Sequence, residues 1–241
     1  MNGVLITGAT SGIGMQLAKD YADDGWHVIA CGRNEKVLGE LEFYSDLISG
    51  LRFDLTKREQ TIDALAHLPF RPQLWILNAG DCEYIDNGHI DAGLVARVMD
   101  INVTGMANAI EGIQPHFSAG HRLVMVGSIA SEVALPRAEA YGASKAAVSY
   151  LARALALDLK SQGISVTTVF PGFVKTPLTD KNDFPMPMLI SVEQASRSIR
   201  RGVAKGRRTL YFPFWFTGFF RLMSLLPYRW QGTLVSALMK G

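Results

Sequence analysis

Gly3-Val4-Leu5-Ile6-Thr7-Gly8-Ala9-Thr10-Ser11-Gly12-Ile13-Gly14 opens the chain, and its reading decides the fold. An apolar strand over Gly3 to Thr7 runs straight into a glycine turn. An amphipathic helix through Leu17, Ala18, Tyr21 and Ala22 follows at once. Strand, glycine turn and helix in that order begin a βαβ unit. Glycines at positions 8, 12 and 14 allow a tight turn and let backbone amides at the helix N-terminus approach a pyrophosphate, with Thr10, Ser11 and Ile13 completing the cradle. The competing reading is a tight turn with no ligand.

Outward from that turn, short apolar runs alternate with longer amphipathic stretches. Residues 26–31, 51–54, 73–78, 122–127 and 164–170 read as further strands. Between them Thr56 caps one helix, Ser191 with Gln194 at the third position caps another, and Gly163 stops a third. Strands apolar on both faces, alternating with helices, imply an α/β fold with a doubly wound parallel sheet, of the Rossmann type. No linker or repeat divides the chain. We expect one domain over residues 1–212, with a lid at 176–190 that carries three prolines, and an amphipathic aromatic C-terminal extension over 213–241.

Composition narrows the function classes. The 241 residues are 48% hydrophobic and 19% charged, and a net charge of +2 provides no global field for nucleic acid. Cys31 and Cys82 lie far apart without CxxC spacing or a histidine cluster, so neither a disulfide framework nor a metal site is expected. The first apolar run has no basic flank and meets Thr7-Gly8 at once, so no secretory signal is read and a cytoplasmic location is expected.

The second strand ends Ala30-Cys31-Gly32-Arg33-Asn34, with no acid where a carboxylate would grip a ribose 2′-hydroxyl. Arg33 stands there, and a guanidinium pairs with a 2′-phosphate in forked geometry, which favours NADP over NAD. The alternative makes Arg33 a solvated loop residue beside the helix cap Asn34. Asp54 and Leu55 close the third strand, where they face the adenine, or Asp54 caps the next helix. Farther on, Tyr141 and Lys145 stand four apart, with Ser128 thirteen residues upstream of Tyr141. On a helix the two share a face, so the lysine charge favours the ionised form of a phenol whose free pKa is about 10. Taken alone, such a pair is equally an ordinary surface contact.

With the glycine turn, Asn78-Ala79-Gly80, Asn102, Ser128, Tyr141, Lys145 and Pro171-Gly172 all in order, residues 1 to about 212 resemble the short-chain dehydrogenase/reductase family. Leu77, where many relatives carry a second asparagine, is the visible departure. The resemblance implies that Tyr141 is the acid/base for the substrate oxygen. Lys145 would bind the nicotinamide ribose and lower the tyrosine pKa, Ser128 would hydrogen-bond the substrate carbonyl, and Asn102 would hold helix backbone and a proton-relaying water. It also implies that Pro171, Gly172, Val174 and Thr176 meet the nicotinamide, that the lid covers the substrate, and that the helices after Asp91 and Ala138 pair subunits into a homodimer or homotetramer. The expected activity is interconversion of a carbonyl and an alcohol. A non-catalytic NAD(P)-binding redox sensor is the rival, and it has no reason to keep Ser128, Tyr141 and Lys145 together.

The substrate end is apolar. Leu178, Phe184, Met186, Met188, Leu189 and Ile190 populate the lid, which suggests an apolar substrate or simple packing on the core. In the tail, Phe212, Phe214, Trp215, Phe216, Phe219, Phe220, Leu222, Met223, Leu225 and Leu226 fall within fifteen residues. A helix from Phe214 places Thr217, Arg221 and Ser224 on one stripe. Arg197, Arg200, Arg201, Lys205, Arg207 and Arg208 precede it, with no acid among residues 194–208. Arg221, Pro213 and Pro227 argue against a membrane span. Residues 197–226 suit peripheral contact with an anionic membrane; the alternatives are a cover for the substrate cleft, a subunit contact, or a membrane scaffold in which the tail itself is the function.

Overall fold

The structure, a computed structural model, describes residues 2–238. Seven parallel strands form one sheet in the order β3-β2-β1-β4-β5-β6-β7. They are β1 Gly3–Thr7, β2 His27–Gly32, β3 Ile48–Arg52, β4 Leu74–Leu77, β5 Arg122–Val126, β6 Ser165–Pro171 and β7 Thr209–Phe212. The helices are α1 Gly12–Asp23, α2 Glu35–Tyr44, α3 Arg58–Ala66, α4 Ala92–Met99, α5 Gly105–Ile113, α6 Glu139–Asp158, α7 Val192–Ala204, α8 Phe214–Met223 and α9 Tyr228–Leu238.

The pleat assigns each strand residue to one of two cores. Val4, Ile6, Val28, Ala30 and Ile76 meet α1, α2 and α7 through Leu17, Leu38 and Ile199. Their neighbours Leu5, Ile29, Trp75 and Met125 meet α3, α5 and α6 through Leu65, Ile113 and Val148. Both faces of the sheet are therefore covered, which is why its strands are apolar runs and not alternating ones. The chain winds outward from β1 to β3 and then returns to β4 beside β1. That reversal opens a crevice at the carboxyl ends of β1 and β4.

Local signals match their elements closely. Asn34 accepts from Val37 N, Asp91 accepts from Gly93 N and Leu94 N, and Ser191 and Gln194 form a reciprocal capping box. Gly163 ends α6 and its short 3₁₀ extension in the left-handed region at φ 73°.

Four expectations are corrected. The third strand is Ile48–Arg52, not 51–54, because pairing of Val28 with Ile48 sets its start. Asp54 thus lies beyond the strand, and α3 begins at Arg58 with Lys57 as its N-cap, not Thr56. The Asp54 carboxylate takes the Thr56 amide and hydroxyl at 3.0 and 2.9 Å, holding Thr56 in the turn. Residues 209–212, not read as a strand from the sequence, form the edge strand β7. In α8 the stripe of Thr217, Arg221 and Ser224 is only partly solvent-facing: Arg221 is exposed, but Thr217 is fully buried, its hydroxyl donating back to Pro213 O at 2.9 Å. The apolar side chains Phe214, Trp215, Phe219 and Leu222 are exposed. Among the described residues no helix is long and apolar enough to cross a membrane.

Candidate functional site

A cavity of about 380 Å³ lies at the carboxyl ends of the central strands. At its floor, Gly8 and Gly12 adopt φ of +67° and +50°, the left-handed region in which a side chain is strained. A Cβ on Gly8 would sit 2.8 Å from Ala79 Cα, and one on Gly14 would run into the Gly8 carbonyl. Thr7 Oγ1 accepts from the amides of Asn78 (3.0 Å) and Ala79 (3.2 Å), while Asn78 Nδ2 donates to Thr7 O at 3.2 Å. The ends of β1 and β4 are thereby stitched together. Asn78 braces the glycine turn with its side chain, and the bare backbone of the turn faces the cavity.

Of the residues expected to hold a cofactor, Gly8, Thr10, Ser11, Gly12, Ile13, Arg33, Asp54, Leu55, Asn78, Ala79, Gly80, Pro171, Gly172, Val174 and Thr176 all line this one cavity. Gly14 sits beneath the turn, and Asn34 is turned to its cap at the start of α2. At the outer end, Arg33 Nη1 stands 3.9 Å from Asp54 Oδ2, with the guanidinium largely exposed.

Ser128, Tyr141 and Lys145 line the inner end of the same cavity. Ser128 follows β5, and its Oγ accepts from Ala130 N at 3.2 Å, which fixes the hydroxyl at the strand end. Tyr141 and Lys145 project from the first turns of α6. Burial pushes the Tyr141 phenol up to about 12, and hydrogen bonding with Ser128 draws it partway back. Burial also pulls the Lys145 amine down to about 8. Any lowering of Tyr141 by Lys145 is outweighed by that burial. Lys145 Nζ donates to Val126 O at 3.1 Å and lies 5.7 Å from the centre of the phenol ring, so its charge is directed at a carbonyl. Desolvation therefore governs both groups, and at neutral pH the phenol keeps its proton.

Asn102 is fully buried behind the cavity wall. It sits within a π-helical turn, Asp100–Thr104, between α4 and α5; the wider turn re-aims one side chain, as such turns do at functional sites. Its Oδ1 accepts from Asp81 N at 2.8 Å, and its Nδ2 donates to Asp81 O and Ser144 Oγ, both at 2.9 Å. Ser144 in turn donates to Tyr141 O at 2.7 Å. The loop after β4 and the first turn of α6 are joined through this one amide. A Cβ on Gly80 would lie 2.9 Å from Asn102 Oδ1 and 3.1 Å from Lys145 Nζ, so glycine there allows all three to meet.

Several lining residues escaped the sequence reading. Asp81 and Lys181 pair across the mouth at 3.8 Å, and Thr179 Oγ1 donates to Val174 O at 2.7 Å to shape the lid. Asp81 directly follows Asn78-Ala79-Gly80 and was within reach of that motif. Lys181 had no signal, since its place depends on how the lid folds back. Beside Ser128, a separate apolar cluster joins Ile129 and Val133 to Phe216, Phe220, Met223 and Val235, with Phe173 against it. One face of α8 thus covers the loop that carries Ser128.

The family described as short chain dehydrogenase matches residues 2–185. An uncharacterized oxidoreductase of Myxococcus xanthus is 32% identical over 233 residues, 92% of each chain. The NADPH-dependent 1-acyldihydroxyacetone phosphate reductase of Saccharomyces cerevisiae is 29% identical over 217 residues, 86% of this chain and 73% of the yeast protein. Among solved structures, a short-chain dehydrogenase from Sphingobium yanoikuyae in complex with NADPH superposes with a TM-score of 0.79 at 25% identity, covering 88% of both chains.

Proposed function

The chain belongs to the short-chain dehydrogenase/reductase family, whose members are NAD(P)-dependent oxidoreductases acting on CH–OH groups; from that premise we propose that it is an NADPH-preferring reductase of an apolar carbonyl compound, with Tyr141 as the proton donor. The observation that carries this reading is the meeting of a bare-backbone cradle and the Ser128, Tyr141 and Lys145 side chains in one cavity. The cradle fits a diphosphate: its glycines leave no room for side chains, and α1 begins there with its amides free to donate. Arg33 supports a 2′-phosphate, with Asp54 and Leu55 beside the adenosine. The yeast relative and the Sphingobium structure are both described with NADPH, which agrees with that choice.

The bound dihydronicotinamide supplies the hydride equivalent that reaches the carbonyl carbon. The residues supply the rest. Ser128 donates to the carbonyl oxygen and stabilises the charge that develops there. Tyr141, protonated at neutral pH, delivers the proton that completes the alcohol. Lys145, charged below about pH 8, holds the ribose and offers the positive field against which the phenolate forms. Asn102 keeps α6 and the loop after β4 in register and is the expected holder of the water that links Lys145 to solvent. Self-association through α4–α6 belongs to the same reading, since Tyr150 and Leu157 lie exposed on α6.

The test is Tyr141→Phe. NADPH oxidation against a panel of aliphatic, aromatic, steroid-like and lipid carbonyls is expected to fall by about 10²-fold or more, with NADPH affinity held within about twofold. Retained turnover overturns the assignment of the proton donor.

A further inference from the structure

The twenty-two acidic residues all fall before position 194, while nine of the twenty-four basic residues fall after it. The first 193 residues therefore carry a formal charge of −7 and the last 48 carry +9. A chain whose overall charge is +2 is thus strongly divided, and the positive part ends in the helices α8 and α9.

Those helices are attached by one face only. Phe216, Phe220, Met223 and Val235 are buried against Ile129 and Val133. Gln231 Nε2 donates to Ser224 O and Leu226 O at 3.3 and 2.8 Å, tying α9 to the end of α8. The opposite face follows the helical repeat through Trp215, Phe219, Leu222 and Leu226, of which Trp215 and Leu222 are 75% and 70% exposed. Leu225 in the connection, and Tyr228 and Trp230 on α9, extend it. Exposed aromatics of this kind are costly in water and favourable at a lipid headgroup boundary, where an indole or phenol has both an apolar body and a polar tip. Arg221 lies over the Tyr211 ring at 4.3 Å, at the flank of α8, and Arg229 beside the Trp230 ring at 5.9 Å, so cations border the face. Arg207 and Arg208 lie at the far end of β7, and Arg200 is paired with Asp20 and Asp24. The cations that border the exposed aromatic face are thus Arg221 and Arg229.

We propose that the exposed face of α8–α9 docks on an anionic lipid bilayer, and that it thereby sets the Ser128 end of the cavity against the lipid. The second clause rests on the reductase reading; the first does not. An isologous pairing of two copies through this face would bring together two surfaces of the same sign, whereas anionic headgroups complement both the charge and the aromatic rim.

The experiment uses the full chain and sedimentation with vesicles of phosphatidylcholine alone or mixed with phosphatidylglycerol. Wild-type protein is expected to pellet with the mixed vesicles, less with phosphatidylcholine, and less again as salt rises. Trp215→Ser/Phe219→Ser/Leu222→Ser is expected to lose about tenfold or more of that binding. The three side chains are exposed, so NADPH binding and the melting temperature of this variant serve as its folding control. Brominated acyl chains are expected to quench the wild-type tryptophan emission, a readout that needs no variant. Tyr141→Phe is expected to bind vesicles as wild type does, so failure of the reductase reading and failure of docking are distinguishable. Equal pelleting with and without vesicles overturns the proposal. So does a triple variant that still binds, or one that converts a dimer to a monomer while neither protein binds lipid.

Discussion

Replacing Asn102 with alanine separates a positioning role from bystander packing. The side chain makes three hydrogen bonds from a fully buried site: one from Asp81 N and one each to Asp81 O and Ser144 Oγ. Ser144 keeps its bond to Tyr141 O in the variant, so the loss falls mainly on the Asp81 peptide. One unsatisfied donor costs about 1–3 kcal/mol, and the lost acceptor contact and small void add to it, so we take about 2–3 kcal/mol in all. For a chain of this size each kcal/mol moves the melting temperature by about 2–4 °C, which gives an expected drop of about 4–12 °C. Thermal unfolding followed by circular dichroism, with and without NADPH, measures it directly. In the same variant kcat is expected to fall more than NADPH affinity, because the register between the first turn of α6 and the loop after β4 is lost while the glycine cradle is untouched. Asn102→Asp retains an acceptor for Asp81 N but turns a carboxylate oxygen toward Asp81 O. It is expected to be the less stable of the two at neutral pH and to recover relative to Asn102→Ala on acidification, as protonation restores a donor. A drop below about 2 °C for Asn102→Ala, with kcat unchanged, refutes the positioning argument.

Two further outcomes follow from the electrostatics. The turnover of carbonyl reduction is expected to fall as pH rises through about 8, because Lys145 then loses its charge while Tyr141 still keeps its proton to about 12; a kcat profile flat across that range contradicts the assigned role of the amine. Arg33→Asp places a carboxylate at the end of β2 and is expected to shift the ratio of kcat/KM from NADPH toward NADH by at least tenfold, about 1.4 kcal/mol. An unchanged ratio, or a wild type that already prefers NADH, removes Arg33 from the recognition of the 2′-phosphate.

What was legible in the sequence was local. The turn at Gly8 and Gly12, the capping box of Ser191 and Gln194, and the stop at Gly163 depend on neighbours within four residues, so each could be placed without the rest of the chain. The spacing of Tyr141 and Lys145 belongs to the same class. Their proton affinities do not, because desolvation came to dominate both and depends on what closes over α6. The edges of the sheet were hard to read for a related reason. Ser49-Gly50 in β3 carries little strand propensity, and its pairing with β2 assigns it; β7 is four residues long and gains its identity from β6. Thr217 was misjudged by polarity: a hydroxyl that bonds back into its own helix can be buried as cheaply as a methyl group.

The lid explains why the proposed substrate is apolar although the rim of the cleft is charged. Lys181 pairs with Asp81, Arg137 pairs with both Asp86 and Asp183, and Tyr84 OH donates to Asn182 Oδ1 at 2.6 Å. These contacts span three loops, those after β4, β5 and β6, and they hold the start of the lid against the other two. Rim charges matched in this way fix geometry and contribute little affinity, since most are solvent-screened. Behind them the contacts are aromatic: Phe184 meets Tyr84 at 5.7 Å and Phe173 at 6.1 Å, and Phe173 meets Phe216 at 5.4 Å. An anionic substrate would have to break the Lys181–Asp81 pair to find a cation at the mouth, whereas an apolar one needs only to part aromatic surfaces. The same aromatic row ends at Phe216 on α8, so the face proposed to meet lipid and the aromatic row behind the rim are two sides of one helix. A shift of α8 on docking would therefore be felt at Phe173 and Phe184 before it reached Tyr141, which makes lipid-dependent change in KM, at constant kcat, the kinetic trace that this arrangement predicts.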